Sequence, residues 1–264
     1  MLVARTLLFL CSLAIMAIGP AVAQDMLLVG RVQARSTHQP LPYVNIGVRG
    51  ENVGTVADAQ GSFSLRIPAA LASDTLTFSA IGYHEQALAL AHLAPAELQP
   101  VLLAEKTTEL AEVLVRGRAE KVRQLGTTTH NPLLWGSIAN KETHDINEFA
   151  KLISLGDVPT QVVQAHIFLR RPTVDTVSLR LNLYHVAQGL PGRRIVEQPI
   201  LVRTAIRNGW LTIDLTKYAL TLQADFFLSF EFLPQKQGVG PAFSYGAQFG
   251  GAAMVRTSSL GRSW

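Results

Sequence analysis

Short runs of strictly alternating side chains, broken by turn formers, constrain this fold more than any other feature of the sequence. In Ser62–Ile67, Phe63, Leu65 and Ile67 share one parity while Ser62, Ser64 and Arg66 share the other. Leu179, Leu181 and Leu183 alternate with Arg180, Asn182 and Tyr184, and Phe226, Leu228, Phe230 and Phe232 alternate with Phe227, Ser229 and Glu231. Side chains of a strand point to opposite faces in turn, so each run describes a strand with one buried and one wetter face. Turn formers fall between such runs, at Gln39-Pro40, Gly50, Gly54, Asp58 to Gly61 and Ser73-Asp74. Closely spaced strands with regular turns and no long helical period predict an all-β protein of two antiparallel β-sandwich domains.

In the first half the expected strands are 28–32, 44–48, 62–67, 75–80 and 101–103, with a short helical turn at 93–98. In the second half they are 161–169, 178–185, 199–205, 210–215, 226–233, 242–249 and 253–257. Between the halves the chain turns polar and Thr-rich, through Arg116 to Arg123 and then Thr127 to Pro132. The expected organisation is a first domain over 27–115, a linker over 116–132 and a second sandwich, or jelly-roll-like, domain over 133–264. The segment 145–155 is open between two readings. Ile146, Phe149, Ala150 and Ile153 fit a helix with Asp145 and Glu148 as a capping box, and the same residues fit a first strand.

The N-terminus has the pattern of an export signal. Arg5 supplies a positive start, an almost unbroken apolar run follows to Gly19, and Ala21-Val22-Ala23 is a small-x-small cleavage site before Gln24. The run is shorter than the ~20 residues of a membrane span, and no later stretch approaches that length without a charge or turn residue. The single cysteine, Cys11, lies inside this run and follows Phe9 and Leu10 rather than the small residues of a lipidation site. A chain processed after Ala23 therefore has no thiol for a disulfide, a thiolate metal ligand or a nucleophile. Processing removes one Arg and no acid, taking the net charge of +4 to +3. The expected location is the periplasm, the outer-membrane surface or the exterior, with no transmembrane span in the mature chain.

The most informative stretch runs through Gly30-Arg31-Val32, Gln39-Pro40-Leu41-Pro42-Tyr43-Val44-Asn45-Ile46 and Gly54-Thr55-Val56-Ala57-Asp58-Ala59-Gln60-Gly61-Ser62-Phe63-Ser64-Leu65. It closes with Asp74-Thr75-Leu76 and Ile81-Gly82-Tyr83. Gly54, Asp58, Gly61, Gly82 and Tyr83 are the expected structural turn residues. Asp58 can accept bonds from its own turn, Gly61 can take a positive φ, and Tyr83 offers an apolar body with a polar tip at a strand end. This ordered set resembles the carboxypeptidase-like regulatory domains, which are transthyretin-like (prealbumin-like) β-sandwiches, over about residues 27 to 104. The resemblance implies a structural or interaction module, often found at the start of cell-envelope proteins, and no peptidase activity. Leu110 to Val115 is similar to a segment that follows this domain in TonB-dependent transporters; here it is read as the terminal strand of the sandwich. The second half resembles an uncharacterised sandwich found behind such domains, through Leu181 to Tyr184, Gly189 to Gly192, Gly209 to Leu215 and Asp225 to Glu231.

Catalytic patterns are scarce. The histidines form no His-Glu-x-x-His pair, there is no Gly-x-Ser-x-Gly turn, and Gly246, Gly250 and Gly251 lack the Lys-Ser/Thr of a phosphate loop. His144 and Glu148 stand four apart without a third metal ligand. Asp214, Asp225 and Glu231 are the acids to consider for glycoside hydrolysis, and are expected as solvated strand-edge acids. The basic clusters at Arg116 to Arg123, Arg170-Arg171 and Arg193-Arg194 are too short for a nucleic-acid stripe. The reading is therefore a non-enzymatic exported envelope module, with no catalytic, metal or cofactor site, whose partner is an envelope protein or a glycan rather than nucleic acid. The alternative is a carbohydrate- or peptide-binding protein. Tyr184 and Trp210, on the faces opposite their Leu-rich neighbours, are its candidate contacts.

Overall fold

A computed structural model describes residues 25–93, 100–106, 121–137, 146–156, 158–170, 176–205, 207–233, 244–246, 253–261 and 264. The first sandwich begins with β1 (Met26–Ala34), β2 (Asn45–Val48), β3 (Gly54–Val56) and β4 (Ser62–Ile67). It continues with β5 (Thr75–Ser79), β6 (Gln86–Ala89) and β7 (Val101–Leu103). One sheet has the order β4-β1-β7 and the other β3-β2-β5-β6. The alternating residues of Ser62–Ile67 behave as their spacing requires: Phe63, Leu65 and Ile67 are buried, facing Phe78, Ile46 and Leu76 in the core between the sheets. One pair departs from the antiparallel expectation. Val101 to Leu103 lies parallel to β1, with Val32 opposite Val101, because the chain returns to that edge after crossing the second sheet.

The tight turn before β4 forms as its residues demand. Asp58 Oδ1 accepts from the amides of Gln60, at 2.8 Å, and Ser62, at 2.9 Å. Gly61 sits at φ +73°, where a Cβ would lie 2.6 Å from the Val32 carbonyl oxygen. Gly82 is also left-handed, in the turn closed by the Tyr83 amide on the Ala80 carbonyl. Gly54 is placed differently from the sequence reading. It lies in β3 opposite Gly47, and the turn glycine of that hairpin is Gly50, at φ +83°. The reason is steric: a Cβ on Gly47 would stand 3.0 Å from the Gly54 Cα, so this part of the strand pair needs close backbone approach rather than a turn.

The second sandwich comprises β8 (Trp135–Ser137), β9 (Asn147–Ile153), β10 (Thr160–Val162), β11 (Gln164–Arg170), β12 (Thr176–Ala187) and β13 (Leu190–Arg194). After these come β14 (Ile200–Ala205), β15 (Gly209–Asp214), β16 (Leu220–Leu222), β17 (Phe226–Leu233), β18 (Ser244–Gly246) and β19 (Met254–Arg256). Six strands form one sheet in the order β13-β12-β17-β9-β19, with β14 also on β12, and four form the other in the order β15-β11-β18-β8. Leu179, Leu181, Leu183, Phe226, Phe230 and Phe232 of the first meet Ala165, Leu169 and Ile213 of the second in one core. A two-stranded ribbon of β10 and β16 flanks them. The open segment 145–155 resolves as strand β9, and Glu148 pairs across the sheet with Glu231 instead of capping a helix. His144, Asp145 and Leu110 to Val115 lie outside the described residues. The helical turn expected at 93–98 lies, beyond Leu93, outside the described residues; a separate short turn is formed by Leu90–His92. No helix among the described residues is long and apolar enough to cross a membrane.

Gly61→Val is expected to lower stability by about 1–3 kcal/mol through backbone strain and the clash with Val32. Gly61→Ala should cost more than Gly50→Ala, because a Cβ at Gly50 meets nothing within 4 Å. Denaturant midpoints of the full chain measure both, and a Gly61→Val midpoint equal to that of the parent would remove Gly61 from the constrained turn.

Candidate functional site

The second face of the six-stranded sheet is not the wet surface that its alternation suggests. Arg180, Asn182 and Tyr184 of β12, Ser229 and Glu231 of β17, and Glu148 of β9 are all buried. Strand register sets them side by side, with Arg180 opposite Glu231, Asn182 opposite Ser229 and Glu231 opposite Glu148. The Arg180 guanidinium donates to both oxygens of Glu231, at 2.7 and 2.5 Å. Asn182 Nδ2 donates to Glu148 at 2.8 Å and to Glu231 at 2.9 Å, bridging the two carboxylates. Glu148 also accepts from Tyr184 Oη and Ser229 Oγ, and Arg256 of β19 holds its other oxygen at 2.5 Å. The result is a ladder of two carboxylates and two guanidiniums, buried except for part of Arg256.

Burial would push the Glu231 carboxyl up, but the charge and hydrogen bonds of Arg180, with Arg194 and Arg256 nearby, outweigh it and hold the group at about 2. Burial pushes the Tyr184 phenol up, and the Glu148 carboxylate adds to the shift. Burial alone would lower the Arg180 pKa, yet Glu231 and Glu148 raise it. Each carboxylate of the ladder is held by a cation, Glu231 by Arg180 and Glu148 by Arg256. The three acids considered from the sequence are also kept apart in role. Glu231 is in the ladder rather than at a solvated edge, Asp225 accepts from the Leu155 amide at 2.9 Å, and Asp214 binds the Thr216 amide and hydroxyl.

The ladder extends into the first sandwich. Arg180 Nη1 donates to the Tyr43 carbonyl and Nη2 to Asn45 Oδ1, both at 3.0 Å. The Gly50 amide donates to the Leu260 carbonyl at 2.9 Å, and Lys106 pairs with Glu197 at 3.3 Å across the same seam. A cavity of about 190 Å³ beside Arg180 is lined by Tyr43, Ile81 and Tyr83 from the first sandwich and by Pro199 and Leu201 from the second. Thus Tyr43 and Asn45, at the entry to β2, are also where the second sandwich docks. Tyr83 lies at this seam, with its phenol raised first by burial and then by Glu105.

The outer face of the four-stranded sheet carries a different set of residues. Trp210 on β15 is opposite Phe168 on β11, and Trp135 on β8 is opposite Gly246 on β18. Gly246 lies beside the Phe168 side chain, so the four positions form one row across the strands. Because Gly246 has no side chain, His130 can lie on Phe168, with ring centroids 3.7 Å apart and planes 16° apart. Phe168 meets Trp210 edge-on at 5.4 Å. Arg170 sits over the Trp135 ring at 5.1 Å and donates to the Pro132 carbonyl at 2.6 Å, tying the 130–132 loop to the sheet. Trp210 remains 42% exposed and Trp135 49%. Around them stand His166, bonded to Thr212 at 3.0 Å, together with Ser244 and Gln164.

Of the two contact residues expected from the sequence, only Trp210 can reach a ligand. Tyr184 is 4% exposed, its hydroxyl is bound to Glu148, and Trp264 packs edge-on against its ring at 5.7 Å. The sequence reading missed Trp135 and His130, because their link to Trp210 exists only through strand register and the empty position at Gly246.

Removing one partner of the ladder strands a buried charge, so Glu231→Ala should destabilise the protein by about 3–5 kcal/mol. Since the folded pKa of Glu231 lies below its ordinary value of 4.5, its stabilisation is complete above about that pH and is lost as pH falls toward 2. The acid limb of a stability-versus-pH curve should therefore flatten in Glu231→Gln. Identical limbs for the variant and the parent would contradict the pairing.

Comparison with known proteins bears on the first sandwich. No curated protein matches the chain. A family model, the CarboxypepD_reg-like domain, matches residues 28–115, the stretch that contains the two facing sheets, the Asp58–Gly61 turn and the docking residues Tyr43 and Asn45. Residues 28–115 are therefore a CarboxypepD_reg-like domain, a member of a transthyretin-like fold family, carried at the front of a longer all-β chain.

Proposed function

We propose that this protein is an exported, non-catalytic module of the cell envelope that acts in interaction or assembly. The observation that carries the reading is the seam. The Tyr43–Asn45 stretch, within the segment that matches the CarboxypepD_reg-like domain, holds Arg180 of the second sandwich, and the Glu148 and Glu231 carboxylates beside it are paired with cations away from solvent. Such a domain serves here as a base that fixes the second sandwich and leaves the opposite sheet free to face a partner. The apolar N-terminal run with its small-x-small site supports export to the periplasm, the outer-membrane surface or the exterior. The division into 27–115, 116–132 and 133–264 belongs to the same proposal.

A second reading, carbohydrate or peptide binding by the second sandwich, is favoured by the exposure of Trp210 beside Phe168. An exposed aromatic cluster on a sheet suits binding better than a purely structural role.

Export is tested by intact mass of the protein recovered from the envelope or medium. The expected mature chain begins at Gln24 and lacks Cys11. A chain that keeps residues 1–23 in the cytoplasm, or carries acyl groups on Cys11, would contradict the proposal.

A further inference from the structure

We infer that the outer face of the β15-β11-β18-β8 sheet is a glycan-binding platform, with Trp210 and Trp135 as two stacking subsites for an extended chain of pyranose rings. The inference rests on reading the protein as a binding module rather than a catalyst, and is independent of where the protein is exported.

Three observations select this occupant. The first is the row itself. Trp210 and Trp135 are three strands apart, about 14 Å at the usual inter-strand spacing, with the Phe168–His130 stack between them. That separation suits a ligand with several flat rings running across the strands better than a single compact molecule.

The second is the chemistry of the face. The exposed rings share this face with Gln164, His166, Thr212, Asp214 and Ser244, and no aliphatic side chain among the described residues of these strands points outward with them. A pyranose has the matching pattern, an apolar C–H face that stacks on an indole and a rim of hydroxyls that hydrogen-bond to such groups.

The third is area. Two half-exposed indoles offer on the order of 100 Å² each, far below the roughly 800 Å² per partner of a stable protein interface. A single-stranded nucleic acid also stacks on aromatics, but it needs a basic groove for its phosphates. Here Arg170 is already engaged by Trp135 and Pro132, and Asp214 lies on the same face.

His130 is fixed by its stack on Phe168, and the loop that carries it is fixed by Arg170, so binding costs little ordering.

The test titrates the full mature chain with cellohexaose, chitohexaose and maltohexaose, using calorimetry and indole fluorescence, with an oligothymidylate as counter-probe. Saturable binding of at least one hexasaccharide is expected. Trp210→Ala and Trp135→Ala should each weaken it about fivefold or more, while Trp210→Phe, which keeps a stacking ring, retains most of the affinity. Circular dichroism of each variant should match the parent. Three results would overturn the platform: no saturable binding of any hexasaccharide, binding unchanged by both alanine substitutions, or preferential binding of the oligothymidylate. None of these would alter the mature mass that tests export.

Discussion

The bond between Arg180 and the first sandwich is the contact on which the arrangement depends. A guanidinium buried at the seam between two β-sandwiches is costly unless its donors are met. Here Glu231 takes two of its bonds, and the other two go to the Tyr43 carbonyl oxygen and to Asn45 Oδ1. The receiving backbone is itself unusual, because Tyr43 is a non-glycine residue at φ +57°. Left-handed geometry costs a residue of this type about 1 kcal/mol or more. It turns the Tyr43 carbonyl toward Arg180 while the Tyr43 amide stays bonded to the Ala57 carbonyl at 3.2 Å. The strain sits where one domain is read by the other.

A face lined with leucines would bury more apolar area and cost less desolvation, so stability alone does not account for the ladder. Polar pairing adds register. A slip of β12 by one residue against β17 would turn Arg180 toward the apolar core, bring Leu181 to the seam and leave Glu231 without its partner. The ladder forbids that slip, and with it any displacement of the aromatic row, which is held to the same core by Leu169 and Ile213 on the opposite side of the sheet. The two faces of the second sandwich differ: one is paired by charge with the first sandwich, and the other carries the exposed rings of Trp210 and Trp135.

Much of this was legible in the sequence. Phe63, Leu65 and Ile67 marked a buried strand face, and Asp58 with Gly61 marked the turn before it, because local periodicity and local backbone chemistry decide both. The motif residues also pointed to the fold family that the match over residues 28–115 bears out. What could not be read was anything set by a distant partner. Alternation distinguishes the two sides of β12 but not what covers the polar side, so Arg180, Asn182 and Tyr184 looked wet and are dry. Glu148 fitted a helix cap equally well until its pairing with Glu231 made it part of a sheet. Trp135, His130 and Trp210 are separated by up to 80 residues, and only register brings them into one row.

Arg180 and Asn45 couple the two sandwiches, and a double-mutant cycle across the seam measures that coupling. Asn45→Ala, Arg180→Met and the pair together are compared by denaturant unfolding of the full mature chain. A hydrogen bond to a charged group predicts a coupling of about 1.5–3 kcal/mol. Additive losses, with a coupling indistinguishable from zero, would show that this contact does not join the two sandwiches.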